Sequence, residues 1–305
     1  MSLNDLESSA IARFRAGDAP PPRAGESTSA WVEFGLHVLL EAAQAVRGSR
    51  GGEAEVSLKT DGSPVTQLET RVEDRITSRL GDFDPDAVLV GEELGGVLVD
   101  RGMALAVDPV DGTWAFLTGT ETYSTTLALF RDGVPVLGMV SNPATGQIGY
   151  AAAGGPTRLL QLSVYGEADY GATLPGPGAE TGPLLVNVHP GRGGSDLVGR
   201  LYRAWESETV RMVRSPGGSP AWALVEAARG DFVYVNLWSK RPASPYDLAA
   251  GILLMEGAGG MVTDLDGSAV DPVSHSGPFI AAVSEDRRAV VTALVREAAG
   301  LAPGI

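Results

Sequence analysis

Apolar residues recur at helical spacing at Trp31, Phe34, Val38, Leu39, Ala42 and Val46, which predicts a long helix over 29–48. Gly48 and the Gly51-Gly52 pair close it. Upstream, Leu3–Arg15 reads as a short helix. A loop over Gly17–Glu26 with three successive prolines follows, so 1–28 is expected to be an N-terminal arm. A second helix should start at Thr66 and reach about Leu80. Short apolar runs between Gly, Pro and Asp predict strands at Val56–Lys59, Val88–Gly91, Ala104–Val107, Ile148–Ala153 and Leu159–Val164. Thr125–Phe130 and Val134–Ser141 flank Asp132-Gly133 as a hairpin.

The Gly/Pro-rich stretch Gly171–Gly182 marks the expected boundary between two halves. Beyond it, strands at Leu185–Val188, Val210–Val213 and Phe232–Asn236 alternate with helices at Asp196–Trp205, Pro220–Arg229 and Pro245–Gly257. Strands at Gly260–Thr263 and Phe279–Val283 and a helix at Glu285–Ala299 complete the pattern. Strand runs first and alternation later predict an α+β domain over 29–182 and an α/β domain over 183–305.

Composition narrows the function. The 305 residues include no cysteine, which excludes disulfides and thiolate metal sites and fits a cytoplasmic setting. No apolar run reaches the roughly 18 residues that span a bilayer, and the N-terminus lacks a secretory pattern. A net charge of −15 disfavours nucleic acid polymers and anionic membranes as partners. A small phosphate can still bind where metal ions invert the local potential. His37, His189 and His275 lie far apart in sequence and read as structural, so zinc is not expected.

The chemistry sits in acidic segments at the ends of predicted elements. In Ala106-Val107-Asp108-Pro109-Val110-Asp111-Gly112-Thr113 an apolar strand ends in two aspartates three residues apart. Pro109 fixes its own φ and bends the chain, so both carboxylates can aim at one point. Such oxygen ligands suit a hard cation beside a phosphate. An ordinary Asp-rich turn carries the same residues. Gly91-Glu92-Glu93 follows another apolar strand, where a solvated strand end is the plainer reading. Ser244-Pro245-Tyr246-Asp247 opens an apolar helix, and Asp247 either completes a capping box, reaches a metal, or does both. Thr66-Gln67-Leu68-Glu69 poses the same choice, with Glu69 capping the helix or holding a metal-bound water that Lys59 could also touch.

In this order, these segments resemble the inositol monophosphatase family of lithium-sensitive magnesium phosphatases. The family's acidic pair appears as Gly91-Glu92-Glu93. Its Asp-Pro-Ile/Leu-Asp-Gly-Thr motif appears as Asp108–Thr113. Its last signature appears as Tyr246-Asp247-Leu248-Ala249-Ala250-Gly251, followed by Glu256-Gly257-Ala258-Gly259-Gly260. Lys59, Ser63–Thr66 and Glu69 match its upstream element, and the match spans about 29–290.

The resemblance implies a layered αβαβα sandwich of the inositol monophosphatase and fructose-1,6-bisphosphatase type, commonly a homodimer. It implies a phosphomonoesterase using two or three Mg²⁺ ions and a metal-activated water. Glu92, Asp108, Asp111, Asp247 and the Val110 carbonyl would be metal ligands, with Glu69 supporting a third ion. Glu92 and Thr113 would orient the water and, with Asp111 and Glu69, form the catalytic set. The Gly112 and Thr113 amides would hold the phosphate. Gly218, Ser219 and Ala221 would touch substrate hydroxyls.

Several positions depart from the family pattern. Glu69 stands for Asp, Tyr246 for Trp, and Pro220 interrupts the small-residue turn. Asn236 lies nearest the place of the acid that grips inositol, and Trp114-Ala115 after Thr113 is unusual. Lys240-Arg241-Pro242 reads as an insertion whose cations either grip a second anionic group or sit in a solvated loop. Phe116-Leu117-Thr118-Gly119 looks more like histidinol-phosphate and nucleotide 3′-phosphate phosphatases. The expected substrate is therefore a small sugar, polyol or nucleoside phosphate, with histidinol phosphate, adenosine 3′,5′-bisphosphate and inositol phosphate as alternatives. A non-catalytic ligand-binding member of the same fold is the competing class.

Overall fold

Short apolar runs, buried along most of their length, pair into two large sheets and one short hairpin in a computed structural model that describes residues 3–20, 27–49, 56–58, 64–163, 169–174, 183–189, 195–230, 232–237 and 243–298. Helices α1 (Asp5–Ala16) and α2 (Thr28–Gly48) come first. The short hairpin β1 (Val56–Leu58) and β2 (Pro64–Thr66) then leads into α3 (Gln67–Phe83). The first sheet follows with β3 (Val88–Gly91), β4 (Met103–Asp111), the short helix α4 (Thr113–Leu117), β5 (Ser124–Arg131), β6 (Val134–Asn142), β7 (Gln147–Ala152), β8 (Arg158–Gln161) and β9 (Tyr170–Thr173). Its seven strands lie in chain order, antiparallel except for the β3–β4 pair.

The second half alternates β10 (Leu185–His189), α5 (Ser195–Glu206), β11 (Met212–Arg214), α6 (Pro220–Ala228), β12 (Val233–Asn236) and α7 (Pro245–Gly257). It ends in β13 (Met261–Asp264), β14 (Phe279–Ala282) and α8 (Glu285–Ala298). These strands form a five-stranded sheet ordered β11-β10-β12-β14-β13.

Packing stacks these parts into five layers. Helices α2 and α3 cover one face of the seven-stranded sheet, joining Trp31, Phe34, Leu39, Ile76, Leu127 and Met139 in one core. Helices α6 and α7 fill the space between the two sheets, and α5 and α8 cover the outer face of the smaller one. This is the αβαβα sandwich expected from the sequence. Helix α7 is the central rod, buried from Leu248 to Met255. Each such Leu or Ile side chain contributes roughly 1.5–3 kcal/mol by leaving water. Gly138 of β6 lets α7 lie directly on the sheet, because a Cβ there would stand 2.5 Å from the Ala250 carbonyl oxygen.

The structure differs from the sequence reading in three informative places. Strand β4 does not stop at Val107 but runs through Pro109 to Asp111, because the bend is absorbed as a bulge. The segment expected to begin the interdomain boundary at Gly171 starts inside β9, which pairs with β8. Helix α1 is docked, not loose. Glu7, wholly buried, accepts from Arg158 Nε and Nη2 at 2.8 Å each and from the Tyr150 hydroxyl at 2.7 Å. Lys59, Val164, the stretch 175–182 and the Lys240-Arg241-Pro242 segment lie outside the described residues. Among the described residues no helix is long and apolar enough to cross a membrane.

Candidate active site

The Asp108–Asp111 segment gains its shape from a mismatch in the β4–β5 ladder. Asp108 pairs with Thr126 and Asp111 with Ser124, so three steps on β4 face two on β5. An extra residue of this kind re-aims the side chains of the bulged strand. The neighbouring hydroxyls hold the bulge. Thr125 Oγ1 donates to the Pro109 carbonyl at 2.8 Å, and the Val110 amide donates to Asp108 Oδ1 at 2.9 Å. Gly112 then takes the left-handed conformation, φ 88°, where a Cβ would stand 2.7 Å from the Ser219 amide nitrogen. Glycine is required there for both backbone angle and space.

Three other elements bring acids to this segment. Glu92 follows β3, which runs parallel to β4, and its amide donates to the Val107 carbonyl at 3.1 Å. Its charge is among those that raise the Asp108 carboxyl. Asp247 sits in the first turn of α7, where its Oδ2 accepts the Ser244 amide at 2.7 Å. That turn is pinned to β5 by Thr126, the ladder partner of Asp108, whose Oγ1 donates to the Tyr246 carbonyl at 2.9 Å. Glu69, 2% exposed at the start of α3, accepts the Thr66 amide at 2.5 Å and the Thr113 hydroxyl at 2.8 Å. The Thr113 hydroxyl also lies 3.2 Å from the Val110 carbonyl. Both ambiguous carboxylates, Glu69 and Asp247, therefore cap their helices and face the Asp108–Thr113 segment.

The electrostatics are those of crowded carboxylates. Burial, followed by the charges of Glu92, Asp111 and Asp247, pushes Asp108 well above the usual carboxylate range. Burial carries Asp111 up to about 7, against hydrogen bonds from Ser219 and the Ala221 amide and with added repulsion from Asp247 and Glu92. Burial also carries Glu69 up to about 7, opposed by Thr66 and Thr113 and reinforced by the Glu93 charge. Among the described residues, no three acid or histidine side chains form a ready-made metal cage. The backbone nevertheless brings the four acidic segments together, since the Glu92 amide bonds the Val107 carbonyl and Thr126 links Asp108 to the first turn of α7. Oxygen donors of this kind fit a hard divalent cation, which would relieve the repulsion.

The residues expected to meet substrate are placed differently from one another. Ser219 Oγ donates to Asp111 Oδ2 at 2.5 Å, and the Ala221 amide reaches the same oxygen at 3.1 Å. These two groups orient Asp111. Gly218 packs against Thr122. Asn236 is 2% exposed and its Nδ2 donates to the Tyr234 hydroxyl at 3.0 Å. Lys240 and Arg241 lie outside the described residues.

Sequence reasoning missed Ser124, Thr125 and Thr126. All three are buried, and they hold Ser219, Pro109 and Tyr246 respectively. The signal was present as three successive hydroxyls in an otherwise apolar strand, since buried polar groups require partners. Glu73, one turn beyond Glu69, was also missed.

The sequence profile of the inositol monophosphatase family matches residues 28–300. A histidinol-phosphatase of Mycobacterium tuberculosis is 32% identical over 227 residues, 71% of this chain and 80% of that protein. An inositol-1-monophosphatase of Mesorhizobium japonicum is 32% identical over 270 residues, 85% of this chain and 95% of that protein. The solved structure of an IMPase from Thermotoga maritima superposes with a TM-score of 0.70 at 24% identity, covering 88% of this chain and 99% of that one. The chain belongs to the inositol monophosphatase family.

Proposed function

We propose that this chain hydrolyses a small sugar or polyol phosphomonoester with Mg²⁺ held between β3, β4 and α7. The observation that carries this reading is the backbone arrangement that brings Glu92, Asp111 and Asp247 to the buried Asp108: the Glu92 amide on the Val107 carbonyl, the bulge between Asp108 and Asp111, and Thr126, which pairs with Asp108 and holds the Tyr246 carbonyl. The enzyme is a phosphoric monoester hydrolase, and metal dependence is general in its family. Glu92, Asp108, Asp111, Asp247 and the Val110 carbonyl are the ligands we assign to two ions, with Glu69 supporting a third. When bound, Mg²⁺ supplies Lewis acidity toward the phosphoryl oxygens and the attacking water.

The chain's own groups do the positioning. The Thr113 hydroxyl, which donates to Glu69 at 2.8 Å, keeps lone pairs to accept a hydrogen bond from the attacking water, so that it takes the water's proton as it passes its own to Glu69. Glu69, which accepts from that hydroxyl, stands as the final acceptor of the proton. The Gly112 and Thr113 amides hold the phosphate, and Glu92 helps to orient the water. Asp111 is held in register by Ser219 and Ala221, so these two act on substrate through it. Gly218, Asn236, Lys240 and Arg241 complete the substrate side of this reading, and a homodimer is part of it.

The leaving group is assigned by experiment. Phosphate release should be measured with and without Mg²⁺ on inositol phosphate, histidinol phosphate, a hexose phosphate and adenosine 3′,5′-bisphosphate. Magnesium-dependent release from at least one of them supports the proposal. No release from any, with tight binding of one, favours the non-catalytic ligand-binding reading.

A further inference from the structure

Helix α3 carries a second buried carboxylate that the proposed chemistry leaves unused. Glu73 is wholly buried, and each of its oxygens accepts a backbone amide. Oε2 takes the Glu93 N–H at 3.0 Å and Oε1 takes the Leu94 N–H at 2.7 Å. Those amides belong to the turn directly after Glu92. Gly91, on the other side of Glu92, packs against the same carboxylate, and a Cβ there would overlap it. The chain therefore approaches Glu73 on both flanks of Glu92.

Residues four apart on a helix stand one above the other on the same face. Glu69 and Glu73 are such a pair. Glu69 holds Thr113, and Glu73 holds the turn that carries Glu92. The helix beneath them is anchored by the buried side chains of Val72, Ile76 and Leu80. It is tied to α2 by Arg75 and Arg79, which both reach Glu41. One rigid rod thus sets the distance between Thr113 and Glu92.

A buried carboxylate beside Glu92 and Glu93 is a costly way to fill space, because like charges and desolvation both oppose it. A glutamine of equal size would avoid the charge. It offers one carbonyl oxygen, and its NH₂ would face an N–H. Two adjacent amides need two acceptors, which only the carboxylate provides.

We infer that Glu73 is a positioning residue for the metal centre, holding the Gly91–Leu94 turn so that the Glu92 carboxyl faces Asp108. This rests on the Mg²⁺ assignment above. Hydrogen-bonded groups behind a metal ligand typically change metal affinity about 10- to 100-fold when removed.

The test is Mg²⁺ binding to the full chain without substrate, followed by calorimetric titration. Glu73→Gln should weaken the Mg²⁺ Kd about 10- to 100-fold with an unchanged circular dichroism spectrum. Turnover should return to within a few-fold of wild type at saturating Mg²⁺. Gly91→Ala should weaken binding similarly, yet add little in a Glu73→Ala background, where the overlap is gone. Wild-type affinity in Glu73→Gln would overturn the inference, whereas a wild-type chain that binds no Mg²⁺ would overturn the functional proposal instead. If Glu73→Gln does not fold, amide exchange in the wild-type protein decides. Glu93 and Leu94 amides protected as well as those of β3 support the clamp, and exchange at free-loop rates refutes it.

Discussion

The Thr113 hydroxyl donates to Glu69 Oε1 at 2.8 Å, joining residues 44 positions apart in the chain. The other Glu69 oxygen is fixed by the Thr66 amide, so the carboxylate has little freedom to turn. Thr113→Ala should lower kcat by about 10²–10⁴, the usual range for a lost general acid–base contribution. Thr113→Ser keeps the hydroxyl and should retain most activity. Steady-state kinetics at saturating Mg²⁺, with calorimetric Mg²⁺ binding as the control, distinguish loss of proton transfer from loss of metal.

Asp108 presents a conflict between function and stability. Its carboxyl is buried among three other acids, which is unfavourable until a cation is bound. Asp108→Asn keeps the oxygen that accepts the Val110 amide and removes the charge. The metal-free variant should be more stable than wild type at pH 8, because it no longer buries a charge among Glu92, Asp111 and Asp247. It should show no turnover and no gain in melting temperature with Mg²⁺. Chemical denaturation with and without Mg²⁺ reads both effects.

The same carboxylates fix the sign of the pH dependence. Asp111 and Glu69 are raised to about 7 in the fold, far above their unfolded values near 4. Between those limits the folded state binds more protons than the unfolded one, so stability falls as pH rises. Metal-free protein should thus lose stability from about pH 5 to about pH 7, and saturating Mg²⁺ should flatten that slope. A slope of the opposite sign in denaturation midpoints across this window would show that these acids are ionised without cost.

Helix α1 is tied down far from the chemistry. Glu7 is 0% exposed and depends on Arg158, Tyr150 and Asn4 for its partners. Arg158→Ala leaves that carboxylate buried beside the Tyr150 hydroxyl with its cation removed. Such a change typically costs about 3–5 kcal/mol, while kcat at 20 °C should stay unchanged. Urea denaturation and a phosphate-release assay on the same sample check the two parts.

Much of this organisation was readable from local patterns. The bounds of α2, β3 and α7 follow from spacing, caps and glycines, and the ordered acidic motifs point to one centre. The bulge at Asp108–Asp111 was not readable, because it depends on which β5 residues lie opposite. Ser219 and Ala221 look like a loop available to substrate. Their commitment to Asp111 arises only when the start of α6 meets the end of β4. Glu73 looks like one more polar residue on an amphipathic helix, and its burial is a property of the turn after Glu92. Contacts between distant segments set these roles, and no local pattern encodes them.

The metal centre is tested most directly by anomalous diffraction from crystals grown with Mn²⁺ in place of Mg²⁺. The assignment predicts at least two anomalous peaks enclosed by Glu92, Asp108, Asp111 and Asp247, one of them also in contact with the Val110 carbonyl. Well-ordered density for all four carboxylates with no peak among them at saturating Mn²⁺ would contradict it.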